Sequence, residues 1–177
     1  MRITTILFSL MVLTLVGCKS QDPAVKAAQE AEQKAWFAKA VQALNDRKFV
    51  LEADQVTFKR GRFVYVNGIT NFVSLHEDRA TVQLAFNSPY AGPNGIGGIT
   101  VDGSASHIKM DTDSKGNITI TMSVLGAGIS ARVVIRMEND SNKCSATVYP
   151  NFNSDVITFS GYMYAEEDSN VFKGRSF

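Results

Sequence analysis

Hydrophobic and polar residues change their period once along this chain, near residue 48. Before that point the spacing is helical. Asp22-Pro23 offers an N-cap followed by proline at the first helical position. Ala24 to Arg47 is rich in Ala, Gln, Glu and Lys, all good helix formers. The apolar stripe is Trp36, Phe37, Ala40, Val41 and Leu44, confined to the second half. The pattern predicts a helical stalk over residues 23–47 that docks through its C-terminal turns.

From Phe49 onward the period is two, the signature of half-buried strands. Phe49 to Ala53 alternates, then shifts phase at Asp54-Gln55 before Val56 and Phe58, which predicts a bulge. Lys59-Arg60-Gly61-Arg62 reads as a turn, followed by strands over Phe63–Val66 and Ile69–Leu75. Ala80, Val82, Leu84 and Phe86 face one way, with Thr81, Gln83 and Ala85 opposite. A Gly/Pro loop follows over Asn87–Gly98, then further strands at 99–110, 118–124, 131–137, 144–149 and 155–164, separated by short polar or glycine-rich turns. About eight strands with mostly short connections make an antiparallel meander. The fold class is mostly β. Sequential neighbours favour a barrel, with a β-sandwich as the alternative, in a single domain spanning residues 48–177.

The N-terminus carries a different pattern. Arg2 is followed by an apolar stretch from Ile3 to Val16, too short for a bilayer span but of the length of an export signal. Leu15-Val16-Gly17-Cys18 then reads as a lipobox with Cys18 as the lipid-accepting residue. Residues 1–17 would be removed, and 18–22 would form a lipidated tether. Cys18 would then be the membrane attachment, with several acyl chains holding stably where one does not.

Charge narrows the partners. The chain has 18 Lys+Arg and 17 Asp+Glu, and loss of residues 1–17 removes only Arg2, leaving 17 of each. No basic block stands out, so a nucleic-acid partner is not expected. Alternating strands also raise a transmembrane barrel, but the ending Lys173 to Phe177 lacks apolar alternation and no aromatic girdle is evident.

Candidate chemistry is sparse. With Cys18 committed to lipid, Cys144 has no disulfide partner; its strand parity with Ala146 and Val148 favours a buried side chain over a reactive thiol. Asp111 to Asn117 begins like a calcium loop, yet Lys115 stands at the fifth position and Met122 at the twelfth, where ligands belong. A hairpin turn is the better reading. His76 and His107 lack further ligands at metal spacing, apart from the adjacent Glu77 and Asp78 in a turn. Neither Ser130 nor Ser160 lies in a nucleophile elbow. No metal or cofactor is expected. Gly92 to Gly98 lacks the Gly-Lys-Ser/Thr ending and following helix of a phosphate loop. Its glycines still serve positive φ or close backbone approach. Tyr90, Asn94, Gly95, Gly97 and Gly98 are therefore the candidate recognition residues, with a structural corner as the equal alternative.

Three segments carry a family resemblance. They are Asn71-Phe72-Val73-Ser74 leading to Val82-Gln83-Leu84-Ala85-Phe86, then Gly92 to Thr100, and Ser169-Asn170-Val171-Phe172-Lys173-Gly174. Over roughly residues 36–177 the chain resembles Bacteroidetes lipoproteins of domain-of-unknown-function family 4251. The resemblance implies phylum, secretion and a single domain, and brings no activity and no catalytic residues. In such lipoproteins, surface export goes with acidic residues soon after the lipidated cysteine. Lys19-Ser20-Gln21-Asp22 has one, which favours the periplasmic side of the outer membrane.

The leading expectation is a non-enzymatic envelope lipoprotein that binds a small ligand or an envelope protein through a β scaffold. The alternatives are a hydrolase-type enzyme using Cys144 or a histidine, and a purely structural envelope protein.

Overall fold

A computed structural model of the chain describes residues 23–86, 92–127, 129–151 and 155–176. Cys18, its signal and tether, and Tyr90 lie outside the described residues. The helix α1 runs Pro23–Asn45, two residues short of the sequence expectation. Residues 32–177 form one compact unit, whose boundary falls within this helix. In that unit the helix contributes Ala40, Ala43 and Leu44 to the core, with Phe37 and Val41 packed against it. Trp36 meets Tyr164 edge-on at 5.6 Å between ring centroids, and Lys39 lies 5.0 Å over the Trp36 ring while pairing with Asp168 at 3.1 Å.

Nine strands follow among the described residues: β1 (Lys48–Phe58), β2 (Phe63–Tyr65), β3 (Phe72–His76), β4 (Arg79–Ala85), β5 (Gly98–Thr112), β6 (Ile118–Gly126), β7 (Ser130–Met137), β8 (Lys143–Pro150) and β9 (Ile157–Ala165). Each of β3 to β9 pairs antiparallel with its neighbour in sequence. β9 then closes onto β1, from Phe49 opposite Ala165 to Phe58 opposite Ile157. The result is a closed eight-strand antiparallel barrel with one extra strand. The sandwich alternative is excluded by that closure.

The extra strand has a local cause. β2 and β3 lie on the same edge of β1, β2 against Gln55–Thr57 and β3 against Lys48–Glu52. They act as one strand broken at Asn67-Gly68. Asn67 accepts the Ile69 amide on its side chain at 2.9 Å and the Asn71 amide on its carbonyl at 3.0 Å. This Asx-type turn takes Ile69 to Asn71 out of the strand read from their apolar pattern. The predicted bulge is present, as a register shift between Ala53 and Gln55. A second shift lies between Ser106 and Lys109, where His107 adopts φ 52°.

The barrel interior is filled through its middle by Leu51, Met122, Ile135, Phe159 and Met163, all essentially inaccessible to solvent. The polar partners of the alternation, such as Thr119, Thr121, Arg132 and Arg136, lie on the opposite face of β6 and β7. That arrangement is the reverse of a barrel whose outer face meets lipid.

Candidate binding site

Strand alternation in an antiparallel barrel sorts the ends. α1 enters at the start of β1, so its Ala43 and Leu44 close the end formed by the start of β1, the end of β3 and the end of β9. The opposite end gathers the end of β4, the start of β5, the end of β6 and the starts of β7 and β9. There the described residues leave the interior unfilled. A cavity of about 290 Å³ opens between Leu84, Ile99, Val101, Val124, Ala131 and Ile157, and the one charged residue on its wall is Asp155. A concave apolar site with few polar groups is the usual form of a small-molecule pocket, and this one sits at the lower end of the usual size range.

The plugged end bears a polar depression of about 500 Å³ lined by Lys39, Lys48, His76 and Glu166 among others. Several of its ionisable groups pair with groups at hand. His76 Nδ1 lies 2.6 Å from Glu166, Lys39 pairs with Asp168, and Lys48 lies 3.7 Å from Glu77. Of these surface pairs, Lys39–Asp168 ties the chain after β9 to the helix.

The glycine loop has a different position and job. Asn94 is 1 % exposed. Its amide donates to Leu84 O at 3.2 Å and to Thr100 Oγ1 at 3.4 Å, and its side-chain oxygen accepts from the Ile96 and Gly98 amides. All four of its hydrogen-bonding positions are therefore used. Gly98 sits where a Cβ would lie 1.9 Å from Leu84 O, so a side chain there would force β4 and β5 apart. Gly95 and Gly97 take φ +79° and +87°, in the left-handed region. The loop builds a corner, and the Asn94 side chain has nothing left to offer a ligand.

That corner belongs to a larger polar layer on the outer face of β4 and β5. Gln83, fully buried, donates to Thr70 O at 3.0 Å and Phe172 O at 2.7 Å, and accepts from Thr100 Oγ1 at 2.8 Å and the Gly174 amide at 2.7 Å. Asn71 accepts from the Ala85 amide at 2.8 Å. Asp102 is held bidentately by Arg79 at 3.1 and 2.8 Å, and also by Lys173 and Thr81. Burial by itself lifts the Asp102 carboxyl, but the hydrogen bonds and charges of Arg79 and Lys173 outweigh it and hold the group below the usual carboxylate range. The C-terminal segment straps over this layer, with Phe172 N on Ile69 O and Arg175 N on Asn94 O. No buried side-chain polar atom among the described residues lacks a partner. Thr81 and Gln83, read from the alternation as the face opposite the core, are thus buried beneath the strap.

The candidate nucleophiles do not assemble. Cys144 is 4 % exposed, and burial, with Asp54 and Glu138 adding to it, pushes its thiol far up. The thiolate that nucleophilic chemistry requires is therefore disfavoured. His107 contacts Ser106 Oγ at 3.2 Å on the surface. Asp113, first of the hairpin turn once compared with a calcium loop, accepts from Asn117 Nδ2 and from the Lys115 and Asn117 amides. The mouth residues carried no signal of their own, because Leu84 or Val101 in a strand reads the same whether its neighbours fill the space before it or not.

Fold and site together define a small closed barrel, plugged by a helix at one end and open over an apolar cavity at the other. The chain belongs to the domain-of-unknown-function family DUF4251, whose profile matches residues 31–163. It is similar to the crystal structure of a DUF4251 family protein from Bacteroides eggerthii, at 47 % identity and a TM-score of 0.71, over 84 % of this chain and 99 % of that one. No curated protein matches the chain.

Proposed function

We propose that the protein is a lipid-anchored, non-enzymatic component of the cell envelope that holds a small apolar molecule in the barrel mouth. The observation that carries the binding role is the 290 Å³ cavity, walled by aliphatic side chains in an otherwise filled barrel. Water gains few hydrogen bonds against such walls, so an apolar group replaces it favourably. Anchoring rests on the sequence alone, on the lipobox ending in Cys18, and the single acid in Lys19–Asp22 favours the periplasmic side.

Titrating the purified full-length chain with the neutral probe N-phenyl-1-naphthylamine should give saturable, blue-shifted emission. Val101→Trp, which fills the mouth, should lower that affinity at least tenfold with the circular dichroism unchanged. Undiminished probe binding by this variant would place the site elsewhere. For the anchor, Cys18→Ala should move the protein out of the membrane fraction; if it stays there after salt washing, the attachment is not through Cys18.

A further inference from the structure

The mouth cavity adjoins a second depression, and the two share Asp155 and Ile157 on their walls. The remaining wall of that depression is Phe58, Lys59, Arg60 and Arg62, the tip of the β1–β2 hairpin. An aliphatic cavity therefore lies beside a rim of three cations and one carboxylate. From this juxtaposition we infer that the ligand is a single-chain anionic amphiphile, its tail in the mouth and its carboxylate or phosphate head against Arg60 and Arg62. This assignment rests on the mouth being a binding site.

Backbone conformation supports the choice of head group. The hairpin closes through Phe58 N on Arg62 O at 2.7 Å, and its tip places Arg60 at φ 75°, ψ 17°, followed by Gly61 at φ 77°. Two successive left-handed residues suit Asn-Gly or Gly-Gly, whereas an arginine with its Cβ is strained there. Both arginines lie on the surface, where the planar guanidinium offers paired donors to a carboxylate or phosphate. The cavity also sets the tail. At roughly 30 Å³ per water-sized group, 290 Å³ takes a chain of about ten methylenes.

Calorimetric titration of the full-length chain at pH 8 with decanoate, decyl phosphate and 1-decanol separates head from tail. Both anions should bind about tenfold more tightly than the alcohol, and a preference for either anion names the source of the head group. In the Arg60→Gln/Arg62→Gln variant that tenfold ratio should fall towards one while the affinity for 1-decanol stays the same. Asp155→Asn should strengthen anion binding by removing the opposing charge. Arg60→Gly, which relieves the backbone strain, guards against misfolding as the cause and should also lose anion preference. Equal affinity for alcohol and anions in the wild type, or an unchanged ratio in the double variant, overturns the head-group assignment and leaves the mouth as an apolar site. Binding of none of the three overturns both.

Discussion

Strands β4 and β5 have two faces built on opposite principles. Inward, Val82, Leu84, Ile99 and Val101 present aliphatic side chains to a cavity that the described residues leave unfilled. Outward, Thr81, Gln83, Thr100 and Asp102 lie under the C-terminal strap with their hydrogen bonds made. The outward face is saturated and specific, so it tolerates little. The inward face is apolar and underpacked, so it can lose a methyl group at small cost and gain a ligand. The segments that carry the family resemblance contribute to both faces: their Val82, Leu84 and Ile99 line the cavity, and their polar residues lie outward. Asn71, Gln83, Asn94, Thr100 and Gly174 are all parts of the strap layer. The resembling segments thus build the scaffold with their polar residues and part of the proposed site with their apolar ones.

The contrast should be largest at Gln83. Replacing it by Ala leaves the Thr100 hydroxyl proton and the Gly174 amide without an acceptor, and the carbonyls of Thr70 and Phe172 without their donor. Each buried group left unpaired costs about 1–3 kcal/mol, and water can recover some of them once the strap loosens. A net loss of about 3 kcal/mol in chemical denaturation is expected. Protease cleavage near the C-terminus should accelerate as well. A loss below about 1 kcal/mol would mean the layer is not the specific element argued here.

Asp102 sharpens the same face with pH. Its pKa is lowered in the folded chain, so the contribution is complete above the unfolded value of about 4. It is lost as pH falls through the lower folded value. Between pH 7 and 5 the strap should hold, and on further acidification the wild type should lose stability that Asp102→Asn no longer has to lose. At neutral pH that variant should be less stable by about 2 kcal/mol, since the two cations it abandons are partly solvated. Equal acid sensitivity of the two proteins, followed by denaturation across pH 2–7, would remove Asp102 from the account.

How far this was legible in the sequence follows from the same two faces. Period-two alternation located the strands, the phase slip at Asp54-Gln55 located a bulge, and the parity of Cys144 with Ala146 and Val148 agreed with its burial. Alternation reports polarity and not cover. Thr81 and Gln83 look the same in sequence whether water or a strap lies over them, and the polar, non-alternating Lys173-Gly174-Arg175 gave no sign of being that strap. The Ser106–Lys109 irregularity had no glycine or proline to announce it. The cavity was illegible for a simpler reason, since a void is a sum over side chains from several strands.

The inward face gives the smallest stability effect and the sharpest test of the contrast. Leu84 is half-buried at the mouth, whereas Leu44 at the plugged end is 4 % exposed and packed in the core. Removing the same three carbons should therefore cost about 3 kcal/mol in Leu44→Ala. In Leu84→Ala, where the lost atoms already face open space and little new cavity surface is created, it should cost about 1 kcal/mol. The ligand reverses the order. Leu84→Ala removes part of the wall a tail would touch and should weaken N-phenyl-1-naphthylamine binding severalfold, while Leu44→Ala, at the far end, should leave it unchanged in the folded fraction. Measuring denaturation and probe affinity on the two variants sets stability against binding with one kind of substitution. If both properties fall together in both proteins, the two ends of the barrel form one continuous core, and the mouth is not a separate site.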